Sequence, residues 1–116
     1  MAIVLHKAGY EHAFRIIKKG LEVEHTRNNW QECAPDKSDE AKFINTHSLA
    51  EYGNWFLGVD TNIDQKNKER YVYPFGDFNM LHVGALEAIR EQAKRKGDTE
   101  IHTAAERLLA SLNQKS

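Results

Sequence analysis

The last forty or so residues constrain the fold of this chain more than any other stretch. Phe78, Leu81, His82, Ala85, Leu86, Ile89 and Ala93 recur at helical spacing on one face, and Asp77 stands where an N-cap belongs. The run Lys94-Arg95-Lys96-Gly97 closes that predicted helix with cations and a glycine, the pairing a helix C-terminus favours. Asp98 or Thr99 then starts a second helix, in which Ile101, Ala104, Ala105, Leu108, Leu109 and Leu112 form a continuous apolar stripe. Two helices joined by so short a turn are predicted to pack as an antiparallel pair. The terminal "NQKS" is expected to fray.

Upstream, Tyr10, Ala13, Phe14, Ile17 and Leu21 also keep helical spacing, and Gly20 follows Lys18 and Lys19. This predicts a first helix from about Lys7 to Lys19. "LEVEHT" alternates apolar and polar residues briefly and reads as a short strand. A polar connection punctuated by Pro35 follows, and Ser38 is expected to cap a helix running to about Thr46, with Phe43 and Ile44 turned inward. Ser48 and Glu51 have the spacing of a capping box, so a second short helix is predicted to begin there and to end at Gly53.

"NWFLGVD" and "ERYVYPF" are rich in aromatic and β-branched residues and flank the polar, turn-rich "TNIDQKNK". That arrangement predicts an antiparallel hairpin with a longer loop. Pro74 lacks a backbone donor, so the second strand should end there or lie at an edge. No repeat, low-complexity tract or linker divides residues 1–116. The expectation is a single α+β domain, helix-rich, with a β-hairpin and a C-terminal antiparallel helix pair.

Composition narrows the classes of function. At 116 residues, 41% of them hydrophobic, the chain can bury one core without staples. Sixteen basic and seventeen acidic side chains leave a net charge of −1, so no global charge draws it to nucleic acid, an anionic membrane or an acidic partner. The single Cys33 cannot form an internal disulfide, and within one chain it excludes a zinc site needing two thiolates. The apolar run after Met1 is too short for a signal-peptide core, and no run approaches the roughly eighteen residues of a membrane span. A cytoplasmic protein is expected.

The densest concentration of special residues is "RYVYPFGDFNMLH", Arg70 to His82. Read functionally, Asp77 is a catalytic or metal-binding carboxylate beside His82 near a helix N-terminus, where free N–H groups hold anions. Read structurally, Pro74 stops a strand, Gly76 permits a turn, and Asp77 caps the helix by accepting from the N–H of Asn79 or Met80. The structural reading explains more of the stretch. His82 itself, on the apolar face, reads as a buried ring with a satisfied nitrogen, or else as a general base or a switch near neutral pH.

The other candidates are weaker. The six histidines show no HExxH, HxH or CxxC spacing, so no metal and no cofactor is expected. Cys33 lies beside Glu32, which disfavours a reactive thiolate. Arg90, Lys94, Arg95 and Lys96, or Lys7, Arg15, Lys18 and Lys19, could gather into a basic patch, but interleaved Glu87 and Glu91 favour a solvated face. Trp30, Trp55, Tyr71 and Tyr73 are candidates for a binding surface if the hairpin keeps aromatics on an uncovered face; if helices cover both faces, all are core. Trp30, in a polar loop, is the most suspicious of them.

Through "GYEHAFRIIKKG", the stretch around Trp30, "EYGNWFLGVD" and "KERYVYPFGDFNMLH", the chain resembles a family of small bacterial proteins of similar length with no established activity. The most specific string is Tyr71, Tyr73, Pro74, Phe75, Gly76, Asp77 and Phe78. The resemblance implies kinship of fold and brings no catalytic residues. The residues therefore lead to a small intracellular binding or protein-interaction module, its partner another protein or a second copy of itself in a homo-oligomer, with no membrane. The alternatives are a small enzyme or anion-binding protein using Asp77 and His82, and a nucleic-acid-associated protein acting through a local basic patch.

Overall fold

A computed structural model describes residues 3–20, 23–24, 30 and 34–114. The elements run β1 (Ile3–Leu5), α1 (Lys7–Lys19), β2 (Val23–Glu24), α2 (Lys37–Thr46), α3 (Leu49–Gly53), β3 (Phe56–Asp60), a 3₁₀ turn (Lys68–Arg70), β4 (Tyr71–Pro74), β5 (Leu81–His82), α4 (Val83–Lys96) and α5 (Thr99–Gln114). The fold is α+β and helix-rich, with the expected hairpin and the expected C-terminal helix pair. Most of the "LEVEHT" and Cys33 segments, and His25, lie outside the described residues.

The helix boundaries follow from local chemistry. α1 ends in Lys18 and Lys19, and Gly20 at φ 69° closes it by donating to the carbonyls of Ile16 and Ile17. α4 ends at Gly97, φ 78°; the Gly97 N–H returns to Lys94 and the Asp98 N–H to Ala93, a Schellman closure. α3 begins at Ser48, whose hydroxyl accepts from the Glu51 N–H at 3.1 Å. α2 differs from expectation: its cap is Asp36, not Ser38. Asp36 and Asp39 exchange side-chain and backbone bonds as a reciprocal capping box, and a carboxylate at the positive helix end outcompetes the hydroxyl two residues inside.

β3 is the centre of a three-stranded antiparallel sheet of order β1-β3-β4, with Val4 opposite Val59 and Gly58 opposite Val72. β1 has only three residues and is specified by this pairing rather than by its own pattern. Pro74 is the last residue of β4, an edge strand, where its missing donor costs nothing. Strand alternation puts Phe56 and Gly58 on one face of β3 and Leu57 and Val59 on the other, and all four are buried. Both faces of β3 are thus covered.

That coverage corrects the aromatic-surface expectation for two residues. Trp55 (7% exposed) and Tyr73 (6%) are core, alongside Phe75, Leu81, Leu86, Ile101 and Leu108. Tyr71 is half-buried; its ring lies on Gly53, where any Cβ would stand about 2.5 Å from ring carbons, and it neighbours Tyr52, Phe56 and His6.

The start of α4 is a second correction. The helix begins at Val83, not Phe78. Residues 76–81 instead form a tight reversal, with Gly76 bridged to Leu81 and the Asp77 N–H donating to the Met80 carbonyl at 3.1 Å. Phe78 turns the chain at φ 69°, in the left-handed region that a bulky side chain seldom enters. Leu81 and His82 then pair in parallel with Val23 and Glu24 of β2. The apolar spacing from Phe78 onward mimics a helix, but the N–H groups of Asn79 and Met80 are taken by Asp77 in a turn, and β2 claims the next two residues.

Candidate functional site

The reversal brings together Asp77, His82 and Trp30. Asp77 stands at its start, and its Oδ1 accepts from the backbone N–H of Asn79 (3.1 Å) and of Met80 (2.7 Å). These are the two bonds expected of a helix cap, made here by a turn. Gly76 lets this turn close: a Cβ there would stand 2.5 Å from the Met80 carbonyl and 2.6 Å from the Trp55 ring. Trp55 therefore underlies the turn as a core support.

His82 closes the reversal. Its N–H donates to the Phe75 carbonyl at 2.9 Å, and its Nε2 lies 3.0 Å from Asp77 Oδ2. The residue is only 4% exposed, whereas the Asp77 side chain keeps 29% of its surface. Trp30 covers the imidazole with ring centroids 5.0 Å apart and planes inclined by 48°. His82 is also the backbone N-cap of α4, although its side chain makes no capping bond. The site thus lies where β5, paired in parallel with β2, runs into the N-terminus of α4.

The electrostatics assign the proton. Burial alone would raise the Asp77 carboxyl, but the bond from His82 and the two backbone N–H bonds from Met80 and Asn79 outweigh it, and His82's charge adds to them, so the group is held below its ordinary value. An ionised carboxylate only accepts, so the facing nitrogen, His82 Nε2, carries the hydrogen and donates it. In the neutral ring, Nδ1 is then the acceptor. The pair presents a fixed carboxylate at the surface with an oriented imidazole behind it.

The remaining aromatics form a contiguous support. Phe78 stacks on Phe43 at 4.7 Å and approaches Tyr52 and Trp55, so the strained residue of the turn is gripped from α2 and α3. Tyr73, also at a positive φ of 63°, donates its hydroxyl to the buried Asp98 carboxylate and carries Lys96 over its ring at 5.9 Å. Tyr73 belongs to the α4–α5 junction and not to the Asp77 corner. Residue types alone could not join Trp30 to His82, because their contact spans fifty-two positions and depends on tertiary folding.

Among the described residues, no group of three or more His, Cys, Asp or Glu side chains is placed to hold a metal ion. No helix among them is long and apolar enough to cross a membrane. No protein-family description matches the chain, and neither a curated protein nor a solved structure matches it.

Proposed function

We propose that this protein is a small intracellular binding module without catalysis, which recognises a basic side chain of a protein partner at the Asp77–His82–Trp30 corner. The observation that carries this reading is the 3.0 Å bond between Asp77 Oδ2 and His82 Nε2 beneath Trp30. His82 is too enclosed to be the group offered to a partner, so its role is to hold the carboxylate. The Asp77 side chain remains partly exposed, and each carboxylate oxygen has two lone pairs, so Oδ2 can accept a further donor. An ammonium or guanidinium bound there would lie near the half-buried indole of Trp30, a favourable surface for a cation.

Titration with arginine amide, followed by two-dimensional NMR, tests this reading. The Trp30 indole and His82 ring signals should shift together and saturate, and Asp77→Asn should abolish the response while the remaining spectrum stays native. Shifts that never saturate, or that survive Asp77→Asn, would sink the proposal.

A second reading, a small enzyme or anion-binding protein using the imidazole itself, draws support from the same bond. A carboxylate that fixes Nε2–H leaves Nδ1 as a base. Diethyl pyrocarbonate separates the two: an imidazole that works on a substrate should be modified readily at neutral pH, whereas the binding reading predicts a protected His82.

A further inference from the structure

We infer a second recognition site, beyond the Asp77 corner: a cationic cleft on α1 that binds a small phosphate-bearing anion. His12, Arg15, Ile16 and Lys19 are related by three- and four-residue spacings (12/15, 12/16, 15/19, 16/19) along one face of α1, and Trp55 closes the cleft from across it. The space is about 230 Å³. The His12 ring meets the Trp55 indole edge-on at 4.8 Å, which fixes the apolar end.

The charge arrangement carries the argument. Arg15 and Lys19 are four residues apart, so their like charges repel along the helix face. Neither has an acidic partner in any ion pair among the described residues. Basic residues at a helix C-terminus complement the dipole, which accounts for Lys18 and Lys19 in the last turn of α1. It does not account for Arg15, a full turn earlier on the wall of the cleft; Glu11, four residues before it, makes no ion pair with it among the described residues. Two cations lining one cleft beside an aromatic ring suit an oxyanion carrying a small apolar or planar group: the guanidinium would fork onto two oxygens and the ammonium would take a third.

Size narrows the ligand further. Sites for drug-sized ligands and cofactors span about 300–1,000 Å³, and this cleft is smaller. A phosphate monoester of one small ring fits that chemistry, and a dinucleotide does not.

Phenyl phosphate and inorganic phosphate, titrated at constant ionic strength, test the inference, with ¹⁵N–¹H spectra as the readout. The expected result is saturable shifts of the Trp55 indole and of the α1 amides from His12 to Lys19, stronger with phenyl phosphate, while the Trp30 indole stays in place. Arg15→Ala and Lys19→Ala should each weaken binding about tenfold, the loss expected for one charge-assisted contact. Both side chains stand at the surface, so the variants should fold; a native-like spectrum confirms this, and Arg15→Gln provides a variant that keeps the helix. Failure to saturate, equal shifts with sodium chloride, or full affinity in the double variant would overturn the site. Because the Asp77 corner is read out by Trp30 and His82, failure of one site is separable from failure of the other.

Discussion

Removing the Tyr73 hydroxyl should expose how the α4–α5 junction is held. The phenol donates to Asp98, a carboxylate only 6% exposed, in a contact buried on both sides. Tyr73→Phe keeps the ring against Gly58 and Lys96 but leaves the Asp98 carboxylate short of a donor in the interior. An orphaned buried charged acceptor costs about 1–3 kcal/mol, which corresponds to roughly 4–12 °C in melting temperature for a chain of this size. Urea unfolding at pH 7 should show a lower midpoint with an unchanged slope.

The same bond predicts an alkaline signature. Burial, then the hydrogen bond to Asp98 and its charge, hold the Tyr73 phenol well above its ordinary value. Tyr52 is raised likewise by burial and then by Glu40. A raised phenol stabilises the fold fully below the unfolded value of about 10, and that contribution is lost as pH climbs through the folded value. Above pH 10 the unfolded chain releases a proton that the native protein keeps, so each such tyrosine lowers stability by up to about 1.4 kcal/mol per pH unit. Tyr73→Phe should flatten this alkaline limb, with Tyr52→Phe as the parallel control. An unchanged midpoint at pH 7, or an unchanged alkaline slope, would refute the reasoning.

Asp77→Asn should cost about 1 kcal/mol at neutral pH, an estimate that allows for solvent screening. Because its folded carboxyl lies below the usual range, the contribution is present above about pH 4 and lost as pH falls through the folded value; urea midpoints of variant and parent should therefore converge in acid. Gly76→Ala drives a methyl toward the Met80 carbonyl and the Trp55 ring, and should destabilise by about 1–3 kcal/mol, with a displaced Trp55 indole signal in the NMR spectrum. Asp36→Ala should cost about 1 kcal/mol by circular-dichroism melting, whereas Ser38→Ala, inside the helix, should be close to neutral.

The candidate site was legible in its residue types more than in its geometry. Asp77, His82 and Trp30 stand out in the sequence as a carboxylate before two free amides, a histidine on an apolar face and an indole in a polar stretch, although Trp30 is helical rather than in a loop, its carbonyl accepting from the Ala34 N–H at 2.8 Å. The bonds from Asn79 and Met80 to Asp77 are short-range, and their prediction holds although the element does not: the side chain captures amides in a turn as readily as at a helix end. The link from Asp77 to His82 needs the chain to reverse through a positive φ at Phe78, which side-chain periodicity does not encode. The aromatic surface fails at Trp55 and Tyr73 for a related reason, since alternation says which residues share a face but not whether a helix covers it.

What could be read from residue order is local: the stripes of α1, α4 and α5, the glycine closures at Gly20 and Gly97, the Ser48 cap, and the two strands of the hairpin ending at Pro74. Each rests on residues within a turn or two of one another, where spacing and capping chemistry suffice. Tertiary structure alone decided β1, the parallel pairing of β2 with β5, the late start of α4 at Val83, and the seat of Trp30 on His82. Those features pair segments tens of residues apart, and two- or three-residue strands have too little pattern of their own. Their energy comes from a partner strand or ring that only the folded chain supplies.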